Sequence, residues 1–174
     1  MGKRVLIVDC DLRNPSLHKA FNVDNSKGLS NYLAGAGRPD LIQTTAIPGL
    51  SYLPTGPLPP NPAELLMGSK MMSVLTVAAE KFDLLILDGP PVLGLADAPV
   101  LSNLAQGTLL IVRAEETRIA VIKNAIKRLQ VARAHIVGGL LTHFQPEHGG
   151  QGYAYGASGY YYTAASDRPQ LTKK

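Results

Sequence analysis

Four short apolar runs without alternation constrain the fold of this chain more than any other feature. They are rich in β-branched residues and occupy residues 5–8, 84–87, 109–112 and 136–141. A continuous apolar run is typical of a strand that is buried on both faces, as in a parallel sheet. A shorter run at 50–53 predicts a fifth strand.

Helical patterns lie between these runs, as the crossovers of a parallel sheet require. Asn61-Pro62 predicts a helix that continues to about residue 81, because Asn caps, Pro suits the first position and Glu64 can bond back to the cap. Thr117 begins an amphipathic pattern that reaches about residue 132. Shorter helices are predicted at 15–21, 29–33 and 98–105. The sequence therefore predicts an α/β fold, a mostly parallel sheet with helices on both faces.

The composition divides the chain into two parts. With 174 residues, 45% of them hydrophobic, the chain is long enough for one domain with a sizeable core. From Gln145 onward, five glycines and five tyrosines replace the aliphatic residues, so that this segment lacks the means to form a core. We predict a domain at 1–144 and a flexible Gly/Tyr-rich tail at 145–174.

The net charge, the cysteine content and the hydropathy of the sequence narrow the classes of function that this chain could have. The net charge of +4 is densest within 118–133, where a solvated helix face explains it better than a basic contact surface, so nucleic acid is not a predicted partner. Cys10 is the one cysteine of the sequence, which excludes disulfides and cysteine-ligated zinc and fits a reducing cytosol. No apolar run approaches the roughly 20 residues that cross a bilayer.

Acidic residues follow two of the predicted strands. The run at 5–8 leads into Asp9 and Asp11, and the run at 84–87 leads into Asp88. The carboxyl ends of parallel strands line the ligand crevice of an open sheet, so these three carboxylates should converge there. Ligands that are all oxygen favour magnesium. The alternative is that each aspartate only serves a turn after its strand.

The phosphate-binding loop that would complete a nucleotide site is not in this sequence. The pattern G-x-x-x-x-G-K-[ST], whose backbone N–H groups and lysine hold phosphates, has no match. Gly68-Ser69-Lys70 has the wrong order and falls inside a predicted helix. A nucleotide site here would need a phosphate loop on a preceding strand that the chain does not contain.

Several segments resemble, in order, the bacterial tyrosine kinases (BY-kinases) of exopolysaccharide and capsule assembly. Residues 5–15 (VLIVDCDLRNP) resemble the Walker A′ motif of that family, and residues 82–91 (FDLLILDGPP) resemble its Walker B motif. Asp-x-Asp-x-Arg together with Pro-Pro-Asn-Pro and a tyrosine-rich end is a fairly specific combination. The likeness continues at residues 27–33, 53–56, 59–66 and 96–98 and in the tail.

The resemblance implies a P-loop NTPase-like fold of the deviant Walker type that lacks its N-terminal P-loop strand. It implies that Asp9 and Asp11 position the metal and the attacking tyrosine hydroxyl, one of them accepting its proton, and that Asp88 holds magnesium through water. It assigns Arg13 to a phosphate or to pairing with these acids, and Thr142 to the place near adenine where relatives carry Asn. The phosphoacceptors would be Tyr153, Tyr155, Tyr160, Tyr161 and Tyr162.

The function implied is an ATP-dependent protein-tyrosine autokinase that regulates exopolysaccharide or capsule synthesis and export. Its cofactors would be ATP and Mg²⁺, and its partners further copies of the full-length protein and a membrane activator or co-polymerase domain. It would act in the cytoplasm, at the inner face of the membrane, through a partner or an N-terminal region.

Two other functions remain open. A partition-type or cell-division-type ATPase shares the two Walker motifs, although the tyrosine tail argues against it. A non-catalytic remnant that acts as a binding module is suggested by the absent phosphate loop. Without the P-loop strand, the isolated chain is expected to fold poorly or to pair with another polypeptide.

Overall fold

The computed structural model describes residues 2–36 and 41–144, and the predicted tail at 145–174 with its tyrosines lies outside them. The boundary at residue 144 therefore stays a prediction. In chain order the elements are β1 (Val5–Asp9), α1 (Leu17–Phe21), α2 (Leu29–Ala34), β2 (Gln43–Thr44), β3 (Leu50–Leu53), α3 (Pro62–Met67), α4 (Ser69–Lys81), β4 (Leu84–Asp88), α5 (Asp97–Leu104), β5 (Thr108–Arg113), α6 (Ile119–Val131) and β6 (Ile136–Thr142).

Parallel pairing dominates the strands, which confirms the predicted α/β fold. Strand β1 lies between β3 and β4 and is parallel to both, and the short β2 pairs antiparallel with the outer edge of β3. Strands β5 and β6 form a second parallel pair that is not hydrogen-bonded to the first four. The five predicted strands are therefore present, in two hydrogen-bonded groups.

The core is built around β1. Leu6 and Val8 are fully buried, as expected for a strand that is covered on both faces. Helices pack against it through fully buried Leu29, Leu66 and Met71. The strand that the apolar run at 5–8 predicts is thus an inner strand of the four-stranded sheet.

The prediction that the other strands are buried on both faces is wrong for β4, β5 and β6. In β6, which pairs with β5 alone among the described strands, Val137, Leu140 and Leu141 are exposed. Leu84 and Ile86 are 49% and 42% exposed, and Leu109 and Ile111 are 52% and 54% exposed. The reason is that β4 and β5 each pair on one side and face each other across an open cavity of about 840 Å³. We call this cavity, lined by both strands and by the residues that follow β4, the β4–β5 gap.

The predicted helix at 61–81 is two helices. Gly68 has extended backbone, with φ −68° and ψ 153°, and separates α3 from α4. Glycine is a poor helix former, and the apolar spacing continues on both sides of it, so the periodicity did not reveal the break. Asn61 donates from Nδ2 to Glu64 Oε2 at 3.1 Å and makes no side-chain bond to the backbone of the first turn.

The predicted helix starting at Thr117 begins at Ile119 instead, with Arg118 as its N-cap residue. Within residues 2–36 and 41–144, none of the helices combines the length and the apolar character needed to cross a membrane.

Candidate functional site

The acidic residues at the carboxyl ends of β1 and β4 meet at one edge of the sheet. Asp9 and Asp88 are direct Cα partners in the parallel register of these strands. The backbone N–H of Cys10 donates to the carbonyl oxygen of Asp88 at 2.8 Å, which holds the start of the loop that carries Asp11 against the end of β4. The structure thus brings together the three carboxylates that the sequence singled out.

Asp9 is fully buried and bound by its own chain. Its Oδ2 accepts the hydroxyl proton of Tyr52 at 2.9 Å, and its Oδ1 accepts the backbone N–H of Asp11 at 3.2 Å. The hydroxyl of Thr55 donates to the backbone oxygen of Asp9 at 3.1 Å. A buried carboxylate is costly unless it is hydrogen-bonded in this way.

Asp11 and Asp88 are more accessible. Asp11 Oδ1 accepts the backbone N–H groups of Arg13 and Asn14, at 3.1 and 2.9 Å, and so shapes the turn after β1. Asp88 is exposed, and its side chain has no hydrogen-bond partner among residues 2–36 and 41–144. Although Asp88 is exposed, neighbouring protein atoms displace part of the water around its carboxyl. This desolvation, and then the negative charges of Asp9 and Asp11, raise the pKa of the Asp88 carboxyl.

The two accessible acids suit a magnesium ion that keeps several water ligands. They do not form a site in which protein groups alone surround the metal. Among the residues that the structure describes, no group of three or more His, Cys, Asp or Glu is arranged to hold a metal. Mg²⁺ commonly keeps several waters and binds one or two carboxylates together with substrate phosphates. Asp11 and Asp88 offer that donor set, and the described part of the chain gives neither of them an ion-pair partner.

Arg13 is paired with an acid that the sequence analysis did not assign to it. Its Nε and Nη2 donate to the two carboxylate oxygens of Asp97, at 2.7 and 3.1 Å. Asp97 lies in the first turn of α5 and is fully buried. Pairing of Arg13 with Asp9, Asp11 or Asp88 is therefore corrected to pairing with Asp97, and the guanidinium is engaged by that acid.

Thr142 does not join the acid cluster. It ends β6 beside the end of β5, and its hydroxyl donates to the carbonyl oxygen of Val112 at 3.3 Å. Its assignment to the neighbourhood of adenine stays a prediction, as does the role of the tail tyrosines, which lie outside the described residues.

Sequence reasoning missed Tyr52 and Thr55, which bind Asp9. Thr55 belongs to the segment 53–56, which packs on the start of α2, where Leu29 and Ser30 donate backbone N–H groups to Pro54 and Thr55, both at 2.8 Å. Tyr52 gave a weak signal, because it lies in a short apolar run and a tyrosine hydroxyl needs a hydrogen-bond partner once the strand is buried.

The mostly parallel α/β sheet, with acids at the ends of two adjacent strands, is P-loop NTPase-like, as are the solved structures that this chain resembles. The cell-division ATPase MinD of Pyrococcus furiosus superimposes with a TM-score of 0.64 and 26% identity, over 80% of this chain and 59% of that one. The kinase domain of Escherichia coli tyrosine kinase ETK superimposes with a TM-score of 0.79 and 34% identity, over 92% of this chain and 61% of that one.

Sequence comparison gives the family. The chain is 41% identical over 142 residues to a Klebsiella pneumoniae protein named as a tyrosine-protein kinase in the cps region. This covers 81% of the chain and 20% of that relative, so the chain spans about a fifth of its length. No family model matches. The sequence match and the structural likeness to ETK agree, and the chain belongs to the bacterial tyrosine kinases.

Proposed function

We propose that this chain forms the metal-binding half of an ATP-dependent protein-tyrosine kinase site that serves capsule or exopolysaccharide assembly. The observation that carries the proposal is the meeting of Asp11 and Asp88, without ion-pair partners among the described residues, at the carboxyl edge of β1 and β4. The name of the Klebsiella relative supports the tyrosine-kinase activity and the link to capsule genes.

The acids act by position and charge. In phosphoryl transfer the protein mainly aligns the reacting groups and stabilises the charge on the phosphates. In our proposal Asp11 and Asp88 hold Mg²⁺, which when bound neutralises charge on the ATP phosphates. Either Asp9 or Asp11 accepts the proton of the incoming tyrosine hydroxyl.

The phosphate loop is proposed to follow a strand that occupies the β4–β5 gap. The edges of β4 and β5 are unpaired there, and the lining includes Asp88, Gly89 and Pro90 at the end of β4. A parallel strand in the gap would end beside these residues, so that a loop after it would offer its N–H groups close to the acids. Residues 145–174 contain neither an aliphatic run nor the Gly-Lys pattern, so a segment outside the present sequence would supply this strand.

The substrate is proposed to be the tyrosine cluster at 153–162 of a neighbouring copy. Each phosphate adds about −1.5 to −2 charges, so several of them would reverse the charge of the tail and weaken a ring of subunits. Location at the inner face of the cell membrane, through a membrane activator or co-polymerase domain, belongs to the same proposal.

The test supplies the missing loop. The Walker A segment of the family is fused ahead of residue 2, and the protein is incubated with ATP and Mg²⁺. We expect phosphotyrosine within 153–162, lost in Asp88→Asn and retained in Asp24→Asn, an exposed acid that binds Ser26 away from the cluster.

Other outcomes separate the alternatives. Steady phosphate release without tyrosine labelling would favour a cell-division-type ATPase, to which the MinD likeness corresponds. Neither release nor labelling would leave the binding-module hypothesis and refute the kinase proposal.

A further inference from the structure

The hydroxyl of Tyr52 donates its proton to a carboxylate in the core of the domain. Tyr52 lies in β3 opposite Ile7 of β1, is fully buried, and packs its ring against Phe21 with centroids 5.1 Å apart. Its hydroxyl donates to Asp9 Oδ2 at 2.9 Å. A hydrogen bond to a carboxylate is roughly twice as strong as one between neutral groups, and burial shields it from competing water.

With this bond, each oxygen of the Asp9 carboxylate has a hydrogen-bond partner among the described residues. Tyr52 occupies Oδ2, the Asp11 N–H occupies Oδ1, and no part of Asp9 is exposed. A carboxylate that ligates Mg²⁺ directly must turn an oxygen toward the ion, which here would break the bond to Tyr52 and leave a buried hydroxyl unsatisfied. Asp88 carries no such restraint, and the hydrogen bonds that Asp11 accepts among the described residues fall on Oδ1, which leaves its Oδ2 available.

We propose that Tyr52 is a positioning residue of the kinase site, which holds Asp9 in the core so that Asp9 orients the Asp11 loop and does not ligate the metal. The inference rests on the proposed function. It divides the three acids into one that organises the loop and two, Asp11 and Asp88, that face the metal.

The link from Tyr52 to Asp11 runs through one carboxylate. Tyr52 fixes Oδ2 of Asp9, which sets the direction of Oδ1, and Oδ1 receives the Asp11 N–H. Loss of the hydroxyl would release Asp9 without removing any of the three acids.

The first experiment measures Mn²⁺ binding to the full chain by electron paramagnetic resonance, with Mn²⁺ alone as the probe. We expect Asp11→Asn and Asp88→Asn each to weaken binding tenfold or more, and Asp9→Asn to change it by less than twofold. In a Tyr52→Phe background, Asp9 becomes free to turn toward the ion, so Asp9→Asn should then weaken binding at least threefold. Equal losses for Asp9→Asn and Asp88→Asn in the unaltered background would overturn the proposal.

The second experiment uses the fused protein with the Walker A segment. Tyr52→Phe should lower kcat for tyrosine phosphorylation about tenfold and leave KM for ATP within twofold. Tyr32→Phe, the same chemical change in α2 where the side chain packs on the core, should leave both unchanged. A rise in KM with unchanged kcat would refute the positioning role.

Two measurements keep these results interpretable. Thermal unfolding of Tyr52→Phe identifies a folding defect, which we expect to be small because the ring contact with Phe21 remains. An inactive fusion protein would contradict the proposed function alone, because the Mn²⁺ measurements on the chain test Tyr52 independently of catalysis.

Discussion

Arg13 and Asp97 join the loop after β1 to the first turn of α5 through two hydrogen bonds, Nε to Oδ2 at 2.7 Å and Nη2 to Oδ1 at 3.1 Å. The two residues are 84 positions apart in sequence, and the carboxylate is fully buried while the guanidinium side chain is 39% exposed. The pair therefore anchors the acid-bearing loop to the helix that follows β4.

Removal of Arg13 should destabilise the domain more than removal of an ordinary surface arginine. Arg13→Ala leaves the buried Asp97 charge without its partner, and we expect a clear fall in the midpoint of thermal unfolding. Arg113→Ala is the matched control, since its pair with Glu116 is exposed on both sides and exposed pairs contribute little. Equal midpoints for the two variants, measured by circular dichroism, would contradict this role.

Gly28 should not tolerate a side chain. A Cβ built there would lie 2.2 Å from the carbonyl oxygen of Pro54 and 2.4 Å from the backbone nitrogen of Gly56, so the start of α2 would have to move. We expect Gly28→Ala to cost about 3 kcal/mol of unfolding free energy, as overpacking does. Gly2→Ala, where no atom lies within 4 Å, should be neutral in the same urea titration. A neutral Gly28→Ala would show that α2 shifts freely.

Cys10 should be unreactive while the chain is folded. Its side chain is fully buried, and burial first, with the charges of Asp9 and Asp88, raises the pKa of the thiol well above its ordinary value. The thiolate is the reactive form, so a thiol reagent at pH 8 should modify the native chain very slowly and the denatured chain fully, with one equivalent consumed. Fast modification without denaturant would mean that the loop after β1 opens readily.

Asp88 should make the fold less stable as pH rises. Its folded-state pKa is raised from the ordinary value of 3.8, so the folded state binds this proton more tightly than the unfolded state. Stability is therefore highest below 3.8 as far as this group is concerned, and is lost as pH rises through the raised value. Asp88→Asn should increase the unfolding midpoint at pH 7 and have little effect near pH 3. An Asp88→Asn variant that is less stable at pH 7 would contradict the sign.

The parts of the fold that depend on local pattern could be predicted from the sequence. The apolar run of β1 and the aspartates at the ends of β1 and β4 are contiguous features of the sequence, and parallel strands bring their carboxyl ends together. The meeting of Asp9 with Asp88 follows from that geometry alone.

The parts that depend on distant partners could not be predicted. Tyr52 and Asp9 are 43 positions apart, and a hydroxyl in an apolar run does not indicate which acid it will bind. The same apolar pattern describes β1 and β4, yet only β1 has a strand on each side, so exposure of Leu84 and Ile86 depends on neighbours that a single run does not encode.

The β4–β5 gap has a thermodynamic consequence. A segment that enters the gap binds the folded chain and not the unfolded one, so it raises the free energy of unfolding by RT ln(1 + [L]/Kd), where [L] is its free concentration. At 100 times Kd this amounts to about 2.7 kcal/mol. The folded chain would then be more stable where its complementary strand is abundant. The arrangement of acids at the edge of the sheet would be maintained mainly where that strand is supplied.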